Sequence, residues 1–331
     1  MNARDSLIPE SLLPHLDAIY ERMALIRAFE NRLQYEHDAG TLPGLVHLYT
    51  GQEAIAVGIC WLLTEADWIG STHRGHGHCI AKGCDINAMM AEIYGRATGL
   101  CGGKGGSMHI ADLDRGMLGA NGIVGATPPL ALGAALSAKS RHTNQVSIAF
   151  TGDGGANQGT TFESLNMAVS FQLPCIFVFE NNGFGQSTAA EHASTVSIAE
   201  RSQGFGLPAV SVDGSDFFAV YEAAKTAIQR ARSGGGPSVI EAHAKRFGGH
   251  HSADDQAYRD QNEVLETRKQ ADCLLKFRTS TVQIKGLADQ LDQIDKRVVS
   301  QVEAAVTFAK QSPPPALSEL TTDVYAPEAV Q

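Results

Sequence analysis

The spacing of hydrophobic residues changes twice along the chain. Between Leu12 and Leu33, apolar residues recur every three, four or seven positions, which predicts an amphipathic helix. Further along, short apolar runs alternate with segments of helical composition. We predict strands over residues 146–150, 175–179, 208–212 and 238–242, and helices over residues 159–171 and 216–232. Helical spacing then returns between Leu287 and Ala305.

The first two apolar runs and the helix between them form a βαβ unit. Such a unit implies parallel strands joined by a right-handed crossover. We therefore predict an α/β fold with a doubly wound, mostly parallel sheet and helical N- and C-terminal arms. The expected boundaries are residues 1–45 for the N-terminal arm, 46–265 for the α/β domain, and 266–331 for the C-terminal arm and tail.

Glycine is concentrated in one part of the sequence. The stretch from Gly40 to Gly125 holds 18 of the 34 glycines, in about a quarter of the chain. Because glycine permits positive φ and close approach of the backbone, we expect this stretch to form loops that wrap around another group.

Composition narrows the class of protein. The formal charge of −10 argues against binding to nucleic acid, which needs a concentrated basic surface. The six cysteines include no CxxC pair and are typical of reduced thiols in the cytosol. The N-terminus lacks the apolar core of a signal peptide, and the longest apolar stretch, residues 54–63, is half the length of a membrane span. We expect a cytoplasmic protein without a membrane span.

Two polar motifs follow two neighbouring predicted strands. They are residues 152–159 (GDGGANQG) and 180–183 (ENNG). Open parallel sheets bind ligands beyond the carboxyl ends of their strands, and Asp and Asn supply the hard oxygens that suit Mg²⁺ or Ca²⁺. The glycines would let backbone N–H groups face a diphosphate. Ordinary turns are the alternative interpretation, since the same residue types dominate turns. The GxGxxG pattern fails at Asn157, and a P-loop fails at Gly105.

The paired motifs resemble the thiamine-diphosphate-binding motif. From about residue 15 to 325 the chain is similar to the α chain of the first component of the 2-oxoacid dehydrogenase complexes. The resemblance rests on residues 48–54 (LYTGQEA), 102–109 (GGKGGSMH) and 120–125 (ANGIVG). Within that family, residues 71–78, 110–117 and 213–218 are most similar to acetoin dehydrogenase.

This resemblance implies a role for individual residues. The side chains of Asp153 and Asn182 and the backbone carbonyl of Phe184 would bind Mg²⁺, while Asn182 would also contact the cofactor. The backbone amides of Gly154 and Gly155 would contact the diphosphate of thiamine diphosphate.

The remaining implied residues surround the rest of the cofactor. Arg74 would bind phosphate, and His73 stands beside it where the family often has Tyr. Gly122 and Val124 would approach the aminopyrimidine ring. His250 and His47 would be catalytic, and His250 would also contact the cofactor.

The implied activity is cleavage of acetoin and transfer of the oxidised two-carbon unit, as acetyl, to a lipoyl-bearing acetyltransferase. The resemblance also implies a β subunit that completes an α₂β₂ heterotetramer and supplies the glutamate facing the pyrimidine. Three alternatives stay open at this point. The substrate could be pyruvate or a branched-chain 2-oxoacid, the chain could be a non-catalytic scaffold that binds phosphate and Mg²⁺, or His73, His76 and His78 could bind zinc.

Overall fold

The computed structural model describes residues 8–325, apart from the side chains of Gln261 and Glu263. The strands are β1 (Trp68–Gly70), β2 (Met117–Gly119), β3 (Ser147–Gly152), β4 (Cys175–Asn181), β5 (Phe184–Gly185), β6 (Thr188–Ala189), β7 (Ala209–Asp213) and β8 (Ser238–His243). The helices are α1 (Leu16–Asp38), α2 (Glu53–Cys60), α3 (Gly75–Lys82), α4 (Ile86–Ile93), α5 (Thr127–Ser140), α6 (Gly159–Ser170), α7 (Ala190–Ala193), α8 (Ile198–Gln203), α9 (Phe217–Arg232), α10 (Gln261–Ala271), α11 (Cys273–Ser280) and α12 (Leu287–Gln311).

Six strands form one parallel sheet in the order β2-β1-β3-β4-β8-β7. The central strands β3 and β4 are buried almost throughout, as expected of parallel strands covered on both faces by helices. The predicted α/β fold with a parallel sheet and helical arms is confirmed, and the four predicted apolar runs correspond to β3, β4, β7 and β8. The three domain boundaries remain predictions.

The glycine-rich stretch is only partly loop, so that expectation was too simple. It contains α2, α3, α4 and two short strands of the sheet. Some of its glycines serve close packing instead of turns. At Gly77, inside α3, an added Cβ would lie 2.1 Å from Cδ1 of Tyr49. Because the spacing of glycines does not distinguish close packing from turn formation, the sequence pattern alone overestimated the loops.

The two helical arms pack against each other. Helix α12 buries an apolar stripe at helical spacing that includes Leu291, Ile294 and Val298, and it lies along α1. Ion pairs such as Arg297–Glu21 run along the edge of this contact. Helices α1 and α12 thus form one helical layer.

Two further sequence-based expectations concern the whole chain. All six cysteines lie in the described residues and are unpaired, and five of them are buried. Within residues 8–325, no helix is both long enough and apolar enough to cross a membrane.

Candidate active site

A cavity of about 500 Å³ opens beyond the carboxyl ends of the sheet strands. It lies where the order of the strands reverses: the chain goes from β1 outward to β2, and from β3 in the opposite direction to β4. Such a switch point leaves a crevice between two diverging loops, where open α/β sheets bind their ligands.

Every residue that the resemblance singled out lines this one cavity. These residues are His47, His73, Arg74, Gly122, Val124, Asp153, Gly154, Gly155, Asn182, Phe184 and His250. They come from six separate segments of the chain, which only the fold brings together. Their individual roles remain predictions.

The metal corner of the cavity is formed by the turns after β3 and β4. Asp153 is 6% exposed; its Oδ1 accepts a hydrogen bond from the N–H of Gly154 at 2.8 Å, whereas its Oδ2 is buried without a partner. Burial raises the pKa of Asp153, opposed by nearby amides and by Arg246. A buried carboxylate oxygen without a donor is costly, and a cation would remove that cost. Asn182 lies beside it, also buried.

Two buried arginines make the neighbouring wall positive. Arg74 donates to the carbonyl oxygens of Leu48 at 2.8 Å and His250 at 2.7 Å, and no carboxylate of the described residues forms an ion pair with it. Burial and nearby Arg246 lower its pKa to about 9, so its guanidinium stays charged at neutral pH. The Nη1 atom of Arg246 is buried and has no partner. Buried cations that have no carboxylate partner favour an anionic ligand.

Three histidines cluster at the same place. The ring centroids of His47, His73 and His250 lie 4.8–5.2 Å apart. Burial, with the field of Arg74, lowers the pKa of His47 to about 3, of His73 to about 2 and of His250 to about 4. All three rings are therefore neutral at pH 7. Because Nη2 of Arg74 lies 3.3 Å from Nδ1 of His250, that nitrogen accepts and the ring proton belongs on Nε2.

The structure separates the three histidines of the zinc alternative. His76 is fully buried between Glu30 and Ser107, with Nδ1 and Nε2 both within hydrogen-bond distance of them. His78 is fully buried as well, between Ser71 and Glu180. Both nitrogens of each ring are thus already occupied. The histidines of the described residues that could share an ion are His47, His73 and His250 instead.

The opposite wall is the loop that precedes α5. Gly122 and Val124 lie on it, and the side chains of Ile123 and Val124 are 70% and 51% exposed. An added Cβ at Gly125, where φ is +85°, would lie 2.6 Å from Cβ of Gln158. This loop therefore presents apolar side chains at the mouth of the cavity, on a backbone that admits no side chain at Gly125.

Two cavity-lining residues had been given no role from the sequence. Gln52 is fully buried, and its Nε2 atom has no hydrogen-bond partner. Glu180 is 3% exposed and contacts the hydroxyl of Tyr49 as well as His78. Both stand inside motifs quoted above, residues 48–54 and 180–183. The motif spacing indicated the segments, but only the packing shows which side chains turn inward.

Comparison with known proteins identifies the family. Residues 21–318 match the family model described as the dehydrogenase E1 component. The chain belongs to the dehydrogenase E1 component family. Two similar relatives are the α subunits of acetoin:2,6-dichlorophenolindophenol oxidoreductase of Bacillus subtilis and Cupriavidus necator. Each is 53% identical, over 93% of this chain and 92% and 93% of the relative, respectively. The pyruvate dehydrogenase E1 α subunit of Rhizobium meliloti is 40% identical, over 92% of this chain and 88% of that relative.

Membership of the dehydrogenase E1 component family implies thiamine diphosphate as cofactor. The cavity fits such a ligand in three respects. It has buried cations without carboxylate partners for a diphosphate, an unpartnered buried oxygen on Asp153 for its counter-cation, and an apolar loop for a ring system. The lining of this cavity is therefore compatible with the cofactor that the family implies.

Proposed function

We propose that this chain is the α subunit of a thiamine-diphosphate-dependent dehydrogenase component that cleaves acetoin. The oxidised two-carbon unit would pass as acetyl to a lipoyl-bearing acetyltransferase. The observation that supports acetoin is the identity of 53% with two acetoin:2,6-dichlorophenolindophenol oxidoreductase α subunits, compared with 40% for the pyruvate dehydrogenase α subunit. A pyruvate dehydrogenase α subunit is the second candidate.

The proposal assigns Mg²⁺ to the corner formed by Asp153, Asn182 and Phe184. The unpartnered Oδ2 of Asp153 supports this assignment. Carboxylate, amide and backbone carbonyl oxygens are ligands that hard cations prefer. Arg74 and the backbone of Gly154 and Gly155 would then bind the diphosphate. The N–H of Gly154 donates to Asp153 in this structure, so it would be shared or released when the diphosphate binds.

Thiamine diphosphate supplies carbanion chemistry that breaks the bond next to a carbonyl carbon. This chain binds and orients the cofactor and provides neutral imidazoles beside it. With Nδ1 of His250 accepting from Arg74, the neutral ring would offer its Nε2–H as a hydrogen-bond donor to the substrate, and it would exchange a proton only when Arg74 releases Nδ1. His47, 5.0 Å away between ring centroids, is the second candidate for that role.

A β subunit would complete the site, in an α₂β₂ heterotetramer. Asp153 and Glu180 are the two carboxylates among the described residues that line the cavity, and the latter already contacts Tyr49 and His78. We infer that the acid facing the pyrimidine, which the family resemblance assigns to a β subunit, comes from that chain. The exposed Ile123 and Val124 at the mouth are consistent with a covering partner. A reducing cytoplasm is likewise proposed, supported by six unpaired cysteines.

The test is turnover by the assembled enzyme. This chain would be co-expressed with a β subunit and supplied with Mg²⁺ and thiamine diphosphate. We expect kcat/KM, measured by reduction of an artificial dye, to be far higher for acetoin than for pyruvate. A preference for pyruvate would replace the substrate and keep the site. Bound cofactor without turnover of either compound would overturn both substrate assignments.

A further inference from the structure

Gln52 lies at the junction between two parts of the cavity. It immediately precedes α2, and its side chain is 0% exposed although it lines the cavity. It does not cap the helix, since no side-chain cap bond forms there. Because the buried side chain of Gln52 does not bond to the N–H groups of α2, helix capping does not explain its orientation.

The carbonyl end of Gln52 fixes Asn182. Its Oε1 accepts a hydrogen bond from Nδ2 of Asn182 at 3.3 Å, across 130 residues of sequence. With Nδ2 so occupied, a cation beside Asp153 would be bound through Oδ1 of Asn182, which accepts one hydrogen bond, from the N–H of Phe184 at 3.4 Å, and has a second lone pair. The reversed orientation of both amides would set the NH₂ group of Asn182 against the N–H of Phe184, donor to donor, and leave no oxygen of Asn182 at that position for a cation.

The amide nitrogen of Gln52 has no partner of its own. Nε2 is buried, carries two N–H donors and makes no hydrogen bond with the described residues. Leaving such a group unsatisfied costs about 1–3 kcal/mol, so the group calls for an acceptor from outside the chain, such as a ligand or an ordered water. Buried Arg74, on the same cavity wall, makes this an environment for an anion.

We propose that Gln52 is a positioning residue whose side-chain oxygen and nitrogen bind different partners. Oε1 holds the carboxamide of Asn182 in the orientation that offers Oδ1 to Mg²⁺, while Nε2–H donates to an oxygen of the cofactor's diphosphate. One side chain thereby couples the geometry of the metal site to that of the phosphate site. This inference rests on the cofactor and metal assignments of the proposed function, but not on its substrate.

Two substitutions distinguish the contact of Gln52 with Asn182 from its contact with the diphosphate. Gln52→Glu keeps the shape and an acceptor for Asn182 but replaces the N–H donors by an oxygen that repels phosphate. Gln52→Leu removes both the Oε1 acceptor and the Nε2–H donors. Gln229→Glu, on the exposed side of α9, introduces the same charge change away from the cavity and serves as the control.

Binding to the assembled α and β chains would be measured by calorimetry. The probes are thiamine diphosphate at saturating Mg²⁺, inorganic pyrophosphate with Mg²⁺, and Mg²⁺ at fixed thiamine diphosphate. We expect Gln52→Glu to weaken thiamine diphosphate and pyrophosphate by about 10–100-fold and to leave Mg²⁺ affinity unchanged or tighter. Gln52→Leu should weaken all three by about 10–100-fold. The control should match the wild type.

Three outcomes would count against the inference. Wild-type affinities in both Gln52 variants would overturn it. Equal loss of Mg²⁺ affinity in Gln52→Glu and Gln52→Leu would overturn the separate roles assigned to Oε1 and Nε2 of Gln52. Should Gln52→Leu fail to fold, the near-isosteric Gln52→Glu still decides the diphosphate contact. If the wild type binds the cofactor and does not turn over acetoin, the substrate proposal fails alone; if the wild type does not bind it, both fail.

Discussion

The cavity and the helical arms satisfy their polar groups in opposite ways. Four side chains on the cavity wall, His47, Gln52, His73 and Asp153, have a buried polar atom without a hydrogen-bond partner. Along the arms, charged groups are paired instead: Lys310 with Glu36, and Arg278 with two aspartates of α12. Oε1 of Gln301 is the one buried side-chain atom of α1 and α12 without a hydrogen-bond partner. The arms bury a continuous apolar stripe between those pairs.

Paired polar groups of the arms stabilise the fold, whereas unpartnered polar groups of the cavity are available to bind a ligand. Unsatisfied buried groups cost stability and are rare in native proteins, and four of the eleven such side chains among the described residues line this one cavity, which supports it as the functional site. The arms show what the same chain does where no ligand is needed. Substitutions should therefore affect binding in one region and stability in the other.

The largest expected effect is on the metal corner. Asp153→Ala should weaken binding of Mg²⁺ and thiamine diphosphate by more than about 100-fold, because even residues behind a metal ligand cost 10–100-fold when removed. The Tm of the ligand-free protein should not fall, since the substitution removes an unpartnered buried carboxylate oxygen. Calorimetry and thermal unfolding measure the two effects. Unchanged cofactor binding would refute the assignment of this corner.

The next largest effect is on the arms, where a substitution should lower stability and leave cofactor binding unchanged. Ile294→Ala, at a position 3% exposed on α12, should lower the free energy of unfolding by about 2–5 kcal/mol through lost burial and a cavity. Affinity for thiamine diphosphate should stay the same. Ile294→Val is the matched control and should cost about 0.5–1.5 kcal/mol. A large loss of cofactor affinity in Ile294→Ala would show that the two regions are coupled.

The histidine cluster predicts how stability depends on pH. The pKa values of His47, His73 and His250 are lowered to about 3, 2 and 4, below the value of about 6.5 for an unfolded histidine. The unfolded state therefore binds more protons below that pH, so the ligand-free protein loses stability as the pH falls from about 6.5 toward 4. Melting curves of His73→Phe should show a smaller drop in Tm between pH 7 and pH 5. An equal drop would contradict the assignment of this pH dependence to the cluster.

The smallest effect concerns the ion pair at the edge of the arms. Nη2 of Arg297 lies 2.7 Å from Oε2 of Glu21, and the two side chains are 51% and 29% exposed, respectively. Exposed pairs contribute about 0–1 kcal/mol, so Arg297→Ala should change the free energy of unfolding by less than about 1 kcal/mol. Denaturant titration at low and high salt would measure it. A loss comparable to that of Ile294→Ala would mean that charge, not the apolar stripe, stabilises this contact.

Much of the fold followed from local patterns. Apolar runs ending at Gly152 and Asn181 predicted β3 and β4, because buried parallel strands are continuous hydrophobic segments. The glycine-rich stretch was less accessible to this reasoning. Gly77 sits inside a helix because Tyr49 packs against it, and that contact is not visible from either residue alone.

The site was predictable in its segments and not in its details. Asp153 and Asn182 follow adjacent strands, so the topology of a parallel sheet places them together. His250 was assigned to the pocket only through the resemblance, since it lies 176 residues from the Arg74 that contacts it. Gln52 had been quoted within a motif without a role, because its unpartnered nitrogen becomes apparent only when every neighbour is known.

By itself, the sequence determined the parallel α/β fold, the helical arms and the two motifs at the ends of β3 and β4. Periodicity and turn chemistry are local, and they act before any tertiary contact forms. Only the tertiary structure decided which polar atoms are satisfied and which are left for a ligand. Hydrogen bonding of a buried group depends on residues far away in the chain, such as Gln52 and Asn182, and packing alone sets their distance.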